Sequence, residues 1–140
     1  MSTDQRGPVL KYSSDDLQQW FQVEDRPMFV GDAIDSSNSP TMSAGFARFR
    51  QGEELEWTVA YDEVLVVTKG AVTIRTASGE QTAGVGEILF LPKDTELAYV
   101  GAEDTEFVFV SYPHWFEAKS SSPSAAQLER FRETGEAVRI

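Results

Sequence analysis

The sequence predicts an all-β fold, a small jelly-roll barrel with short helices flanking it at both termini. Between residues 43 and 112, the apolar residues come in short runs, each bounded by glycine, proline or a polar turn. Inside several runs, apolar and polar residues alternate with the period of two that is typical of strands. No run has the 3.6-residue period of a long helix. Many short strands at even spacing are typical of a sandwich or barrel.

The composition of the chain is that of one globular domain. Its 140 residues are 41% hydrophobic and 25% charged, and they leave little room for a second core. The formal net charge of −11 would repel a phosphate backbone or an anionic membrane surface. We therefore expect no nucleic acid and no membrane among its partners.

Targeting and redox signals are missing from the sequence. There is no cysteine, which excludes disulfides, zinc–thiolate sites and cysteine nucleophiles. The start, MSTDQRGPVLKYSSDD, has no apolar core after a basic segment, and no run approaches the ~18 apolar residues of a spanning helix. We expect a cytoplasmic protein.

Ahead of the strands, KYSSDDLQQWF predicts a short helix. Ser13 or Ser14 would be its N-cap, and Asp15 and Asp16 would lie in its first turn, where acidic residues are favourable. The side chains on its apolar face would be Leu17, Trp20 and Phe21. The segment GDAIDSSNSPTM that follows later predicts a polar loop.

Four segments give the clearest strand patterns. AVTIRTA alternates apolar and polar side chains, as a half-buried strand does, and TEFVFVSY alternates phenylalanine with valine. EVLVVTKG and EILFLPKD are short apolar runs that end in turns. GAVTIRTASG has glycines but no helix after it, so it predicts a hairpin and not a phosphate-binding loop.

After Trp115 the composition predicts a short terminal helix. Ser122 precedes Pro123, which would occupy the first helical position, and Leu128 and Phe131 would share one face before Gly135 ends the helix. The chain is thus expected to divide into an N-terminal arm (1–41), a barrel core (42–116) and a helical tail (117–140), within one domain.

Two spacings in the core resemble the motifs of the cupins, which are small jelly-roll barrels. Glu63 is followed after six residues by Gly70, as at the end of the first cupin motif, and Gly86 is followed after five residues by Pro92, as at the start of the second. The segments AGF (44–46), WTVAYDE (57–63), GVGEILFLPKDTEL (84–97) and VSYPHWF (110–116) look most like the cupin domain of the ethanolamine utilization protein EutQ family, within the RmlC-like cupin superfamily. The similarity runs from about Met42 to Trp115.

The metal ligands of an ordinary cupin are missing. The resemblance implies two histidines before Glu63, but those positions hold Trp57 and Val59, or Glu56 and Thr58 with the other permitted spacer. The position of the third histidine holds Leu97. One ligand in four remains, so we expect no metal site of the usual nitrogen and oxygen type. The single histidine of the chain, His114, lies beyond the last core strand and is expected to be exposed or to pack.

The strand before Glu63 predicts a different pocket. Because side chains alternate along a strand, Trp57, Val59, Tyr61 and Glu63 would face one side. Burial among aromatic rings would raise the pKa of Glu63 to a value useful for proton transfer.

Roles follow for the side chains of this pocket. We expect Glu63 and Tyr61 as catalytic residues and Trp57 as a residue that stacks on a substrate. The alternative is that Trp57 and Tyr61 are core aromatics and that a neighbouring donor satisfies Glu63. The residues that would close the mouth of the barrel and contact substrate are Tyr112 and Trp115.

Three functions stay open. The EutQ resemblance implies acetate kinase activity, the conversion of acetate and ATP to acetyl phosphate and ADP, which would need Mg-ATP held by Glu63 or Asp62. The second is a non-catalytic cupin that binds a small molecule, and the third is a metal-free lyase or isomerase with a Glu/Tyr acid–base pair. No cofactor is expected to be firmly bound. The cations available to an ATP phosphate are Arg48, Arg50, Arg75 and Lys93.

The expected partners are a small-molecule ligand or substrate and a second copy of the chain. Sheet edges in small barrels commonly pair, and the N-terminal segment is apolar enough to pack across a homodimer interface. The side chains that would do so are Trp20, Phe21, Met28 and Phe29.

Overall fold

The chain folds into two antiparallel sheets that enclose one core, which confirms the predicted all-β jelly roll. The computed structural model describes residues 7–140. The strands in that part of the chain are β1 Trp20–Val23, β2 Met28–Ile34, β3 Ser43–Phe49, β4 Glu54–Thr58, β5 Asp62–Lys69, β6 Ala71–Thr76, β7 Gly79–Gly84, β8 Ile88–Leu91, β9 Glu96–Gly101, β10 Thr105–Tyr112 and β11 Phe131–Thr134.

Strands that are distant in sequence pair within each sheet. The larger sheet has the order β11-β1-β2-β3-β10-β5-β8, and the smaller has the order β4-β9-β6-β7. The inner faces of the two sheets carry large side chains, which fill the space between them. The buried aromatic residues of this core are Phe49, Trp57, Tyr61, Tyr99, Phe107, Phe109 and Trp115.

The two motif glycines lie in the turns between strands. Gly70 links β5 to β6 with a φ of 68°, and Gly86 links β7 to β8 with a φ of 88°. A Cβ atom at Gly70 would also collide with the carbonyl oxygen of Asp104. Glycine is favoured at both positions because it adopts a positive φ without steric cost.

The N-terminal helix prediction is wrong in its extent. A single 3₁₀ turn, Ser14–Asp16, forms where Ser13 and Asp16 cap each other, with the Ser13 amide 2.6 Å from Oδ2 of Asp16. Trp20 and Phe21, which were expected on the helix, lie in β1, because this segment pairs with β2 and β11. The expected polar loop also begins late, since β2 continues to Ile34.

The C-terminal helix prediction is wrong in position. The helix, α1, spans Trp115–Ser120 and is followed by a 3₁₀ helix at Ala125–Arg130. Phe131 then begins β11, which pairs with β1 at the edge of the larger sheet. Tertiary pairing therefore overrides the helical pattern of Leu128 and Phe131. No helix within residues 7–140 is long and apolar enough to cross a membrane.

The apolar N-terminal residues belong to the chain's own core. Trp20 and Phe29 are each 4% exposed, and Met28 is fully buried. Phe21 is half-buried and packs against Trp115 with a centroid distance of 6.0 Å. These side chains are therefore not available to pack against a second copy as predicted.

Candidate functional site

Glu63 projects into the core from the second position of β5. Its neighbours in the sheet are Leu91 of β8 and Ser111 of β10. The strand alternation that buries Leu65 and Val67 also buries Glu63, which is 5% exposed. The predicted inward orientation of the Glu63 side chain is thus what the fold produces.

A short chain of hydrogen bonds leads to this carboxyl group. The Tyr99 hydroxyl donates to Oε1 of Glu63 at 2.6 Å. The indole Nε1 of Trp57 donates to the Tyr61 hydroxyl at 2.9 Å, and the hydroxyls of Tyr61 and Tyr99 interact with each other. The direct partner of Glu63 is therefore Tyr99, and Tyr61 is one step further away.

Tyr99 is the site residue that the sequence analysis missed. It lies on β9, which pairs with β6 and with β4, where Leu55 is its register partner. The signal in the sequence was its spacing from Leu97, the residue at the third ligand position of a metal-binding cupin. Two residues along a strand, Tyr99 has the same inward orientation.

Burial dominates the electrostatics of these groups. It raises the pKa of Glu63 to about 7, and the hydrogen bond from Tyr99 partly opposes this rise. Burial, and then the nearby charge of Glu63, raise the pKa values of Tyr61 and Tyr99 well above the usual range. Both tyrosines are therefore neutral donors at physiological pH, and the raised pKa of Glu63 lies close to that pH.

The carboxyl group faces a small cavity between the sheets. Its volume is about 40 Å³. An engineered cavity of about 150 Å³ holds benzene, so this one accommodates a molecule of only a few non-hydrogen atoms. Within the described chain, the lining residues are Val30, Ala47, Phe49, Leu55, Trp57, Tyr61, Glu63, Tyr99, Phe107, Phe109, Trp115 and Phe131. Glu63 is the one acidic or basic side chain in this lining.

The C-terminal segment forms one wall of the cavity. The Phe131 ring lies 5.2 Å from that of Trp57 and 6.0 Å from that of Trp115, measured between centroids. Phe21 of β1 packs against Phe131 at 6.0 Å. Sequence analysis missed Phe131 as a site residue because β11 pairs with a strand more than 100 positions earlier in the chain.

Lys119 holds the C-terminal segment in place by hydrogen bonds. Its Nζ donates hydrogen bonds of 2.6 Å to the carbonyl of Thr58, the hydroxyl of Ser124 and Oε1 of Gln127. The same ammonium group lies 4.1 Å from the centroid of Trp57, where it makes a cation–π contact. Burial lowers the pKa of Lys119 to about 8.

Trp115 lies inside the barrel, whereas Tyr112 lies on the surface. Trp115 is buried in the cavity wall, and its Nε1 donates to Oδ1 of Asp32 at 2.8 Å. Tyr112 is 61% exposed and is not among the residues that line the cavity, and its place at the barrel mouth stays a prediction. It faces outward because it follows the inward-facing Ser111 on β10.

His114 and Asp32 are neighbours of Trp115 that do not line the cavity. A ring nitrogen of His114 is 2.8 Å from the carbonyl oxygen of Ser39, so His114 packs as expected. Burial raises the pKa of Asp32 to about 7, although its hydrogen bond from Trp115 opposes the rise. No sequence pattern indicated a role for Asp32, which lies in a segment that was predicted to be a loop.

The cavity does not fit the metal that cupins usually hold. Trp57 and Leu97 are buried hydrophobic side chains, and neither offers a donor to a first-row ion. Asp62 is exposed on the opposite side of β5 from Glu63 and accepts a bond from the Lys93 amide at 2.9 Å. From Gly7 to the C-terminus, no group of three His, Cys, Asp or Glu side chains could hold a metal ion.

Comparison with known families identifies the relatives of this barrel. The family model described as "Ethanolamine utilisation protein EutQ" matches residues 15–118. The chain belongs to the EutQ family. The match includes β1, Glu63, Tyr99 and Trp115, and it ends before the segment that carries Phe131.

One curated relative is "Acetate kinase EutQ" of Clostridioides difficile (strain 630), which is 26% identical over 106 residues. That match covers 76% of this chain but 66% of the relative, so the chain spans less than two thirds of its length.

Solved structures agree with the fold. The structure of the Clostridium difficile EutQ protein matches with a TM-score of 0.64 at 24% identity, over 71% of this chain and 70% of that one. A RmlC-like cupin family protein with a double-stranded β-helix fold from Methanocaldococcus jannaschii matches with a TM-score of 0.59 at 14% identity, over 81% and 96%. The EutQ barrel described here therefore has the cupin fold.

Proposed function

We propose that this EutQ-family cupin holds a small organic substrate in its barrel and exchanges a proton with it through Glu63, without a metal, as a step in ethanolamine utilisation. The observation that carries the proposal is a buried carboxyl group that faces a small cavity lined by aromatic side chains and has Tyr99 as its hydrogen-bond donor. An ionisable group in such a place costs stability, which favours a function for it.

Proton exchange suits the electrostatics of the pair. General acid–base catalysis is most efficient when the pKa of the catalytic group lies near the working pH, and the pKa of Glu63 is raised to about 7. Tyr99 donates to the ionised carboxylate and keeps its own proton. Glu63 is thus the proposed acid or base, with Tyr99 as its positioning residue, and Tyr61 supports Tyr99.

Acetate phosphorylation is the second candidate, because a curated relative is named Acetate kinase EutQ. A cavity of about 40 Å³ is too small for a triphosphate, so ATP would have to bind outside the barrel. Three of the cations considered for it are already in ion pairs: Arg48 with Glu106, Arg50 with Asp104 and Arg75 with Glu54. Glu63 and Asp62 point to opposite sides of β5, which counts against a shared magnesium ion.

The proposal is tested by blocking the cavity without touching Glu63. Ala47 is 1% exposed and lines the cavity, so Ala47→Leu would fill it. We expect saturation-transfer NMR with a set of two- to five-atom amines, alcohols and acids to detect ligands of the wild type that Ala47→Leu no longer binds. Circular dichroism would verify that the variant is folded. Equal signals from both proteins, or no ligand for the wild type, would refute the proposal.

The kinase candidate needs its own assay. Acetate, ATP and magnesium are incubated with wild type and Glu63→Gln, and acetyl phosphate is trapped with hydroxylamine. Product that depends on Glu63 would favour the second candidate over the first. We expect no such product, because the cavity has no cation and no room for a phosphate chain.

We also propose that two copies associate through the outer face of the larger sheet. Two cross-strand rows there are uncharged: Phe46, Val108, Val66 and Ile88 in one, and Ala44, Val110, Val64 and Phe90 in the other. Ile88 and Phe90 are 65% and 60% exposed on the edge strand β8. With a net charge of −11, the copies repel least across an uncharged strip.

Light scattering at micromolar concentration tests this association. We expect twice the chain mass of 15.6 kDa for the wild type and the chain mass itself for Phe90→Glu. The control is Val9→Glu, at a position that is 97% exposed and off the strip, and it should remain dimeric. A monomeric wild type would exclude the interface.

A further inference from the structure

The charge in the cavity points to the class of its ligand. Glu63 is buried, and the one hydrogen bond found to it within the described chain comes from Tyr99. Among residues 7–140, no basic side chain lines the cavity, whose other walls are aromatic and aliphatic. A buried carboxylate is ordinarily neutralised by a cation, and this described part of the chain provides none inside the barrel.

We propose that the barrel of this protein binds a primary ammonium compound smaller than benzene, with its charged nitrogen against Glu63. This inference rests on the proposed function and specifies its ligand class. An ammonium ion would supply the positive charge that balances the carboxylate of Glu63. A carboxylic acid such as acetate would instead place a second negative charge beside Glu63 in a medium of low dielectric constant.

The surroundings of Glu63 also suit the donors of an ammonium group. Such a group has three N–H donors and no acceptor. The carboxylate of Glu63 accepts one or two of them, and the hydroxyl oxygen of Tyr61, which lines the same cavity, offers a further acceptor. The rings of Trp57 and Trp115 face the cavity too, and an ammonium ion is attracted to an aromatic face.

Binding is then coupled to the ionisation of Glu63. The groups that face Glu63 are Tyr99 from β9 and Tyr61 from the segment before β5. Asp32 of β2 accepts a hydrogen bond from Trp115, and Lys119 of α1 contacts the ring of Trp57. The other lining side chains are apolar. Because the ammonium ligand needs the ionised carboxylate, affinity should rise with pH through the pKa of Glu63, whose raised value is about 7.

The test compares three probes of equal size and different charge. Ethanolamine, ethylene glycol and acetate each have four non-hydrogen atoms, and their affinities are measured by titration calorimetry at pH 5.5, 6.5 and 7.5. We expect ethanolamine to bind at least about tenfold more tightly than the other two at pH 7.5, and the preference to shrink towards pH 5.5. In Glu63→Gln the preference should vanish. Glu80→Gln, which removes an exposed acid and the same charge, should retain it.

The outcomes separate this inference from the proposed function. Tighter binding of acetate or glycol, abolished by Ala47→Leu, would overturn the ammonium class and leave the small-molecule barrel standing. An ethanolamine preference that survives Glu63→Gln would also overturn the inference. No binding of any probe in calorimetry, together with no ligand in the NMR screen, would overturn both.

Discussion

Glu63 and Lys119 are both buried charges, and they differ in what surrounds them. Lys119 has three acceptors at 2.6 Å and the face of Trp57, so its hydrogen bonds are complete. Within the described residues, Glu63 has one donor, Tyr99, and its remaining surroundings are an aromatic cavity. Lys119 contacts Trp57 but is not part of the cavity lining, whereas Glu63 is.

This difference separates a structural charge, Lys119, from the charge for which we propose a function, Glu63. A buried ion with a full set of partners holds segments together, and removing it leaves those partners unsatisfied. A buried ion with few partners lowers stability unless a ligand completes its surroundings. The variants that follow each remove one of these charges or its hydrogen-bond partner.

The largest effect is expected from Lys119→Ala. It would remove the ammonium donor that the Thr58 carbonyl, Ser124 and Gln127 share, at a cost of about 3–4 kcal/mol in the free energy of unfolding. Urea denaturation measures this change. Lys93→Ala, at an exposed lysine, should change stability by less than about 0.5 kcal/mol. A small effect of Lys119→Ala would show that this lysine does not secure the C-terminal segment.

The second-largest expected effect is a gain in stability, and it depends on pH. Glu63 has a native pKa of about 7, raised from 4.5, so the folded protein holds a proton there that the unfolded chain has lost. Stability therefore falls as pH rises between these values, and Glu63→Gln removes that loss. We expect the variant to be more stable than the wild type by about 2–3 kcal/mol at pH 8 and about equal to it at pH 4.

Asp32 does not disturb this comparison. Its pKa is raised in the same window, but it contributes equally to both proteins and cancels in the difference. Thermal unfolding of the pair at several pH values gives the curve. A difference in stability between the two proteins that does not change with pH would contradict the raised pKa of Glu63.

The smallest expected change comes from Tyr99→Phe. It removes the donor that stabilises the ionised form of Glu63, so the pKa of Glu63 should rise further, by about 1–2 pH units. NMR of ¹³C-labelled glutamate follows the titration directly. Tyr112→Phe, which removes an exposed hydroxyl, is the control and should leave the titration unchanged. An unchanged titration in Tyr99→Phe would show that Tyr99 does not support the carboxylate.

Strand alternation and motif spacing predicted the barrel and the inward position of Glu63, because both are encoded within a few consecutive residues. They could not predict Tyr99 as its partner, since that contact depends on how β9 aligns with β5 across the core. They also placed Phe131 on a helix. Its strand conformation results from pairing with β1, and a local pattern carries no information about that pairing.

The β11 segment has a consequence for how the family diverges. Glu63 and Tyr99 lie within the part of the chain that the EutQ family model covers, whereas Phe131, which lines the cavity, lies beyond its end at residue 118. The proposed acid–base pair and this part of the cavity wall are thus encoded by separate stretches of sequence. Substitutions in the C-terminal stretch would change the size of molecule that the cavity admits and leave the proposed proton-exchanging group in place.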